Sequence, residues 1–232
     1  MDKLWAQLIQ VQDAPDPWIV AVSGLAALAI VTFTAPWRLS RGLITIAHEG
    51  GHAVMALLTR RKLEGIRLHS DTSGVTLTRG RPTGPGMVLT ALAGYLAPSL
   101  LGLAAAWLTE QGRITLLAWG MLAFLVCMLL LVRNLYGALI LLVTGGAVFA
   151  LVMYAPADVQ QGVALAVSWF LLFGGVRPIV ELQRKRRRRQ ARDSDADQLA
   201  RLTFLPGGFY VFFFLVVAGA SVVAGGYLMN PL

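Results

Sequence analysis

Charge is scarce in this chain. Only 14% of its 232 residues are Asp, Glu, Lys or Arg, whereas a soluble domain carries about 25%. With 56% hydrophobic residues and a mean hydropathy of +0.66, that deficit excludes an ordinary water-soluble domain and implies an integral membrane protein. Cysteine is almost absent: Cys127 stands alone in an apolar run, so neither an intrachain disulfide nor a thiolate metal cluster can form. Histidine is nearly as rare, with His48, His52 and His69 making up the total of 3. No basic-then-apolar leader opens the sequence, so no cleavable signal peptide is expected. Negative charge is scarcer than positive, and the net +8 is concentrated largely in residues 184–192. Beside membrane helices, such a run predicts a cytoplasmic loop near anionic lipid headgroups, and no nucleic-acid partner is expected.

Against this apolar background one stretch carries chemistry: Ile46-Ala47-His48-Glu49-Gly50-Gly51-His52-Ala53-Val54. It reads H-E-x-x-H within a helix-compatible run. On a helix the two histidines lie at i and i+4 on one face, where both can grip one metal ion, and Glu49 projects beside them as a candidate general base. Ionisable side chains cost about 2.5–3.5 kcal/mol at the centre of a membrane helix and mark functional sites by default. Two core histidines with a neutralised Glu would leave the joint spacing unexplained.

Runs of about 20 apolar residues suit a bilayer core, and seven candidate spans follow: residues 18–35, 43–58, 87–108, 114–132, 135–153, 163–180 and 209–228. The fold class is therefore an all-α polytopic membrane protein of about seven transmembrane helices, forming one domain over 1–232. Residues 65–80 alternate around Ser73-Gly74 and predict a small membrane-associated β-hairpin within the connector 63–86. Its exposed edge could hold an extended substrate by strand addition. A charged linker, 181–201, precedes the last span. Placing residues 184–192 in the cytoplasm puts Lys3, Arg60, Arg61, Lys62, Arg67, Arg79, Arg81 and Arg133 on the same side. Only Arg38, Arg41 and Arg113 fall outside, which predicts a cytoplasmic amino terminus.

A catalytic zinc usually takes three protein ligands. Glu64, His69 and Asp71 sit in the hairpin region, and Asp193, Asp195 and Asp197 cluster before the last span. Ser194 can cap a helix there, leaving Asp195 and Asp197 in its first turn. Those two point about 200° apart. Asp195 shares its face with Leu199, whereas Asp197 aligns with Arg201 at a spacing suited to a solvent-facing ion pair. Asp195 is therefore the expected third ligand, with Asp197 as its alternative.

The chain resembles the site-2 protease family of intramembrane zinc metallopeptidases, in particular its compact bacterial branch without a PDZ domain. The resemblance is carried by His48-Glu49-Gly50-Gly51-His52, by Gly74-Val75-Thr76, and by Ala93-Gly94-Tyr95 with Pro98 and Gly102. Arg133-Asn134-Leu135-Tyr136-Gly137 and residues 194–200 and 203–206 complete it. It implies one Zn2+ per chain on His48, His52 and an Asp from a later helix, with Glu49 as general base. Gly74, Val75, Thr76 and Asn134 become candidate substrate contacts. Better-studied members carry Asn-Pro…Asp-Gly where this chain has Asn134-Leu135 and a separate acidic cluster. The implied activity is endoproteolysis of membrane-spanning proteins or peptides at the bacterial inner membrane. The alternative is a non-catalytic scaffold or metal carrier that keeps the histidines.

Overall fold

The computed structural model describes residues 11–190 and 193–230, and its first apolar stretch is sharply bent. Helices α1 (Pro17–Thr32) and α2 (Thr34–Leu58) meet at the extended Phe33, with 99° between them. Pro36 supplies the cause. Proline has no N–H to donate, and its ring clashes with the carbonyl four residues back, here that of Thr32. A break at Phe33 puts Pro36 in the first turn of α2, where amide hydrogens lack helical partners anyway. The carbonyls released at the end of α1, on Val31 and Thr32, accept hydrogen bonds from the Arg177 guanidinium.

Two strands follow, β1 (Lys62–Leu68) and β2 (Gly74–Arg79), paired antiparallel with Ile66 opposite Thr76 and Leu68 opposite Gly74. The turn differs from the expected Ser-Gly. It runs from His69 to Ser73, with Thr72 N–H donating to His69 O at 2.9 Å and His69 N–H to Ser73 O at 2.8 Å. Thr72 takes the left-handed position at φ 66°, as in a three-residue hairpin loop.

The remaining helices are α3 (Pro85–Glu110), α4 (Ile114–Leu131), α5 (Leu135–Tyr154), α6 (Ala157–Arg187), the short α7 (Asp195–Leu202) and α8 (Gly207–Leu228). Among the described residues five helices, α3 to α6 and α8, are long and apolar enough to cross a membrane, or six if the bent pair is one span. The expected seven is not reached, because residues 36–42, read as a loop between two spans, belong to α2. The protein is mostly helical and multi-pass.

The bend also corrects the expected placement of the amino-terminal side. Ser23 Oγ on α1 faces Gly162 O on α6 and Thr32 O faces Arg177, so the two helices run in the same direction. Ahead of α1, Gln12 N–H donates to Gly112 O, and Gln161 Nε2 donates to Asp13 O. Residues 12 and 13 thus lie with the turns at 111–113 and 155–157, at the end of the bundle opposite Arg184–Arg187. Arg41 moves the other way: it lies 3.9 Å from Glu181, near the basic end of α6, and not across from it. Lys3 and Arg192 lie outside the described residues.

Two buried clusters hold the site in place. One joins Ile46 and Ala53 of α2 to Ile66 and Leu68 of β1 and to Leu125, Met128 and Leu141 of the α4–α5 pair. The other joins Ala91 of α3, Ile179 and Leu182 of α6, Ala196 and Leu199 of α7, and Tyr210 and Phe214 of α8. The histidine-bearing α2 and the aspartate-bearing α7 both pack against α3.

Candidate metal centre

Gly51 allows α2 to approach α3 closely: a Cβ there would strike Ala97 and come within 2.7 Å of Ala93 O. The approach brings His52 Nδ1 to 2.7 Å from Thr90 O. A carbonyl only accepts, so Nδ1 carries the hydrogen and Nε2 presents a lone pair. That lone pair faces His48 Nε2 at 3.1 Å and Asp195 Oδ2 at 3.3 Å, and His48 Nε2 lies 3.2 Å from the same oxygen. His48 is further fixed by Tyr95, whose ring meets it edge-on with centroids 4.8 Å apart. Gly94 leaves the space in which these atoms meet, since a Cβ there would collide with His52 Nε2 and reach 2.7 Å from His48 Nε2.

This donor set fits a tetrahedral cation. Ligand arms of about 2.0–2.1 Å place donors about 3.3 Å apart along each edge, and the three edges here are 3.1, 3.2 and 3.3 Å. The composition, two imidazoles and a carboxylate, suits zinc.

Asp195 is presented by α7, capped by Ser194, whose Oγ accepts from Asp197 N–H. Ala196 and Leu199 are fully buried, which turns Asp195 towards the histidines. Asp197 does not pair with Arg201 as expected. Its carboxylate binds Arg186 of α6 and accepts from Ser194 Oγ at 2.6 Å, while Arg201 lies 3.7 Å from Asp193. Partial burial would raise the Asp197 carboxyl, and the Ser194 hydroxyl and Arg186 lower it instead.

The general-base candidate, Glu49, is 4% exposed. Thr76 Oγ1 lies 2.6 Å from its Oε2 and 3.2 Å from its backbone oxygen; the single hydroxyl proton belongs on the shorter contact. Gly74 passes so close that a Cβ would sit 2.6 Å from Glu49 Cγ and 2.7 Å from Oε1. A second tether, Thr45 Oγ1 to Thr72 O at 2.7 Å, fixes the hairpin tip to α2. Between hairpin, α2, α3 and α6 lies a cavity of about 180 Å³, lined by Trp37, Arg41, His48, Glu49, Gly74 and Tyr95 among others.

The structure therefore brings together His48, His52, Asp195 and Glu49, with Gly74 and Thr76 against Glu49. It turns Val75 outward, 44% exposed. Asn134 stands apart from the role expected of it. Its amide is engaged on both sides by Leu68, accepting from Leu68 N–H at 3.1 Å and donating to Leu68 O at 2.6 Å, so it anchors β1. The other expected ligand alternatives have partners elsewhere: Glu64 pairs with Arg79, and His69 and Asp71 each contact Ser73. Sequence reasoning missed Gly94 as the gap beside the histidines, Tyr95 as the buttress of His48, and Arg41 and Trp37 as cavity walls.

Residues 21–225 match a protein-family model described as Peptidase M50B-like. No curated protein and no solved structure matches the chain.

Proposed function

Since this chain belongs to the Peptidase M50B-like family, the site-2 protease family, we propose that it is a zinc-dependent endopeptidase that hydrolyses peptide bonds of membrane-spanning substrates. The observation that carries this reading is the convergence of three donor atoms, one each from His48, His52 and Asp195, all within 4.8 Å of one another. Zinc at such a site supplies Lewis-acid polarisation of the scissile carbonyl and a lowered pKa for the attacking water.

The chain's own groups do the rest. Glu49 takes the proton of the attacking water and returns it to the leaving amine, work worth about 100- to 10,000-fold. Thr76 holds the Glu49 carboxylate in one orientation, and Thr90 O holds the His52 tautomer. A helix hides its carbonyls, so the substrate is bound extended. Among the described residues β2 has β1 as its strand partner and its other edge is free. The His69–Ser73 hydrogen bond sets the alternation of the ladder, so the peptide groups of Gly74 and Thr76 face that free edge. Strand addition there would lay the substrate past Glu49. A metal carrier, by contrast, needs polar sites strung along a path, and one cluster of this kind occurs among the described residues.

We place the protein in the inner membrane, with the basic end of α6 in the cytoplasm beside anionic headgroups. The test is purification of the full chain, zinc measurement by mass spectrometry, and cleavage of a model transmembrane peptide with Glu49→Gln as control. Zinc near one per chain and Glu49-dependent cleavage are expected; bound zinc without cleavage would favour the scaffold or carrier.

A further inference from the structure

The cavity beside Glu49 contains a cation that the hydrolytic steps do not use. Arg41, Thr45 and Glu49 follow one another at i, i+4 and i+8 on one face of α2, and all three line the cavity. Thr45 and Glu49 are tied to the hairpin, whereas Arg41 has no hydrogen-bond acceptor among the described residues. Its nearest carboxylate oxygen, Glu181 Oε2, is 3.9 Å away, beyond hydrogen-bond distance.

Glu181 is already held. Its Oε1 accepts from Trp37 Nε1 at 3.1 Å and from Arg177 Nε at 3.0 Å. Arg177 in turn reaches the α1 carbonyls and lies over the Trp37 ring, 4.8 Å from its centroid. Asp71, at the hairpin tip, also lies in the field of Arg41, but its Oδ1 is bound by Ser73 N–H at 2.9 Å and Ser73 Oγ at 2.6 Å. Two guanidiniums thus share the one carboxylate of Glu181, and Arg41 has the unused donors. Its side chain is 33% exposed, open on the cavity side. A guanidinium is always charged, and its planar fork matches a carboxylate.

The spacing suits an extended peptide. Eight helical residues rise about 12 Å, and a strand advances about 3.3 Å per residue. Arg41 therefore sits about two to four residues along a peptide from the bond beside Glu49, once its own reach is allowed for.

We propose that Arg41 is a specificity-determining residue that binds a carboxylate of the substrate at that distance from the scissile bond, from either an Asp or Glu side chain or a free carboxy terminus. The inference rests on the hydrolytic reading of the same site. The test uses the full-length zinc protein with two matched peptide pairs: internal Glu against Gln, and free carboxy terminus against amide. The carboxylate member of at least one pair is expected to be favoured by about tenfold, through KM. Arg41→Gln should bring that ratio to about one, Arg41→Lys should keep part of it, and both variants should retain zinc. The responding pair identifies the source of the carboxylate.

Binding of the same peptides to Glu49→Gln protein reads the preference without turnover. Equal binding and equal kcat/KM within both pairs would overturn the role of Arg41 while Glu49-dependent cleavage left the peptidase reading standing. Arg41-dependent binding without any Glu49-dependent cleavage would overturn the peptidase reading and leave the carboxylate site. If Arg41→Gln fails to fold, the wild-type ratios still decide.

Discussion

Glu49 is buried, and its carboxylate is oriented by one hydroxyl, that of Thr76, at 2.6 Å. Glu49→Gln keeps the shape and loses the proton acceptor. We expect zinc content unchanged by mass spectrometry and turnover down about 100- to 10,000-fold; cleavage within threefold of the parent would refute the assigned base. Gly94 gives a sharper structural test, because a single methyl group at this position meets both imidazole Nε2 atoms. Gly94→Ala should fold, since it lies inside a helix where alanine is preferred by about 1 kcal/mol, yet bind zinc poorly. Wild-type zinc affinity in that variant would show that the histidines meet elsewhere. The two histidines and Glu49 were legible in sequence because their relation is local, fixed by helical spacing. The reasons for Gly74 and Gly94 were not, because the atoms they avoid belong to other elements. Gly74 reads as a turn residue in sequence, but the turn precedes it and its function is to pass against Glu49.

At the scale of elements, the third donor depends on how an eight-residue helix is held. Isolated helices of this length are unstable in water, so α7 relies on burial of Ala196 and Leu199, on the Ser194 cap and on the Arg186–Asp197 pair. The face argument that singled out Asp195 needed only helical geometry, which the sequence contains. The partner of Asp197 required knowing that the basic end of α6 lies alongside, which the i+4 spacing to Arg201 obscured. Asp197→Asn is therefore expected to loosen α7 and weaken zinc binding by about tenfold or more, measured by competition with a chelator. Unchanged affinity would show that the latch does not position Asp195. The sign of the pH effect follows from the lowered Asp197 carboxyl. Its contribution is present above the unfolded value near 4 and is lost as pH falls through the lower folded value. The latch should hold at neutral pH and release only in acid.

For the molecule as a whole, the bend at Phe33 decides which side each charge occupies. Two separate spans over residues 18–35 and 43–58 would put residue 13 on the same side as residue 189 and leave Arg38 and Arg41 across the membrane. A hydropathy reading sees two apolar runs and a polar gap, and cannot see that the gap is helical. The folded arrangement carries residues 12 and 13 to the turns at 111–113 and 155–157, and brings Arg41 near Glu181. Arg41 thereby joins the basic end of α6. The hairpin belongs to that end as well, because β1 is anchored by Arg133 N–H to Ile66 O and by Asn134 to Leu68. The expected outcome of site-directed cysteine labelling in intact cells, on a Cys127→Ser background, follows. Cysteines at positions 71 and 189 should be shielded together from an impermeant reagent, and one at position 13 should be labelled from outside. Labelling of 13 and 189 from the same side would restore the two-span reading of the amino-terminal region. Labelling of 71 and 189 from opposite sides would separate the hairpin from α7, and Glu49 could not then share a site with Asp195.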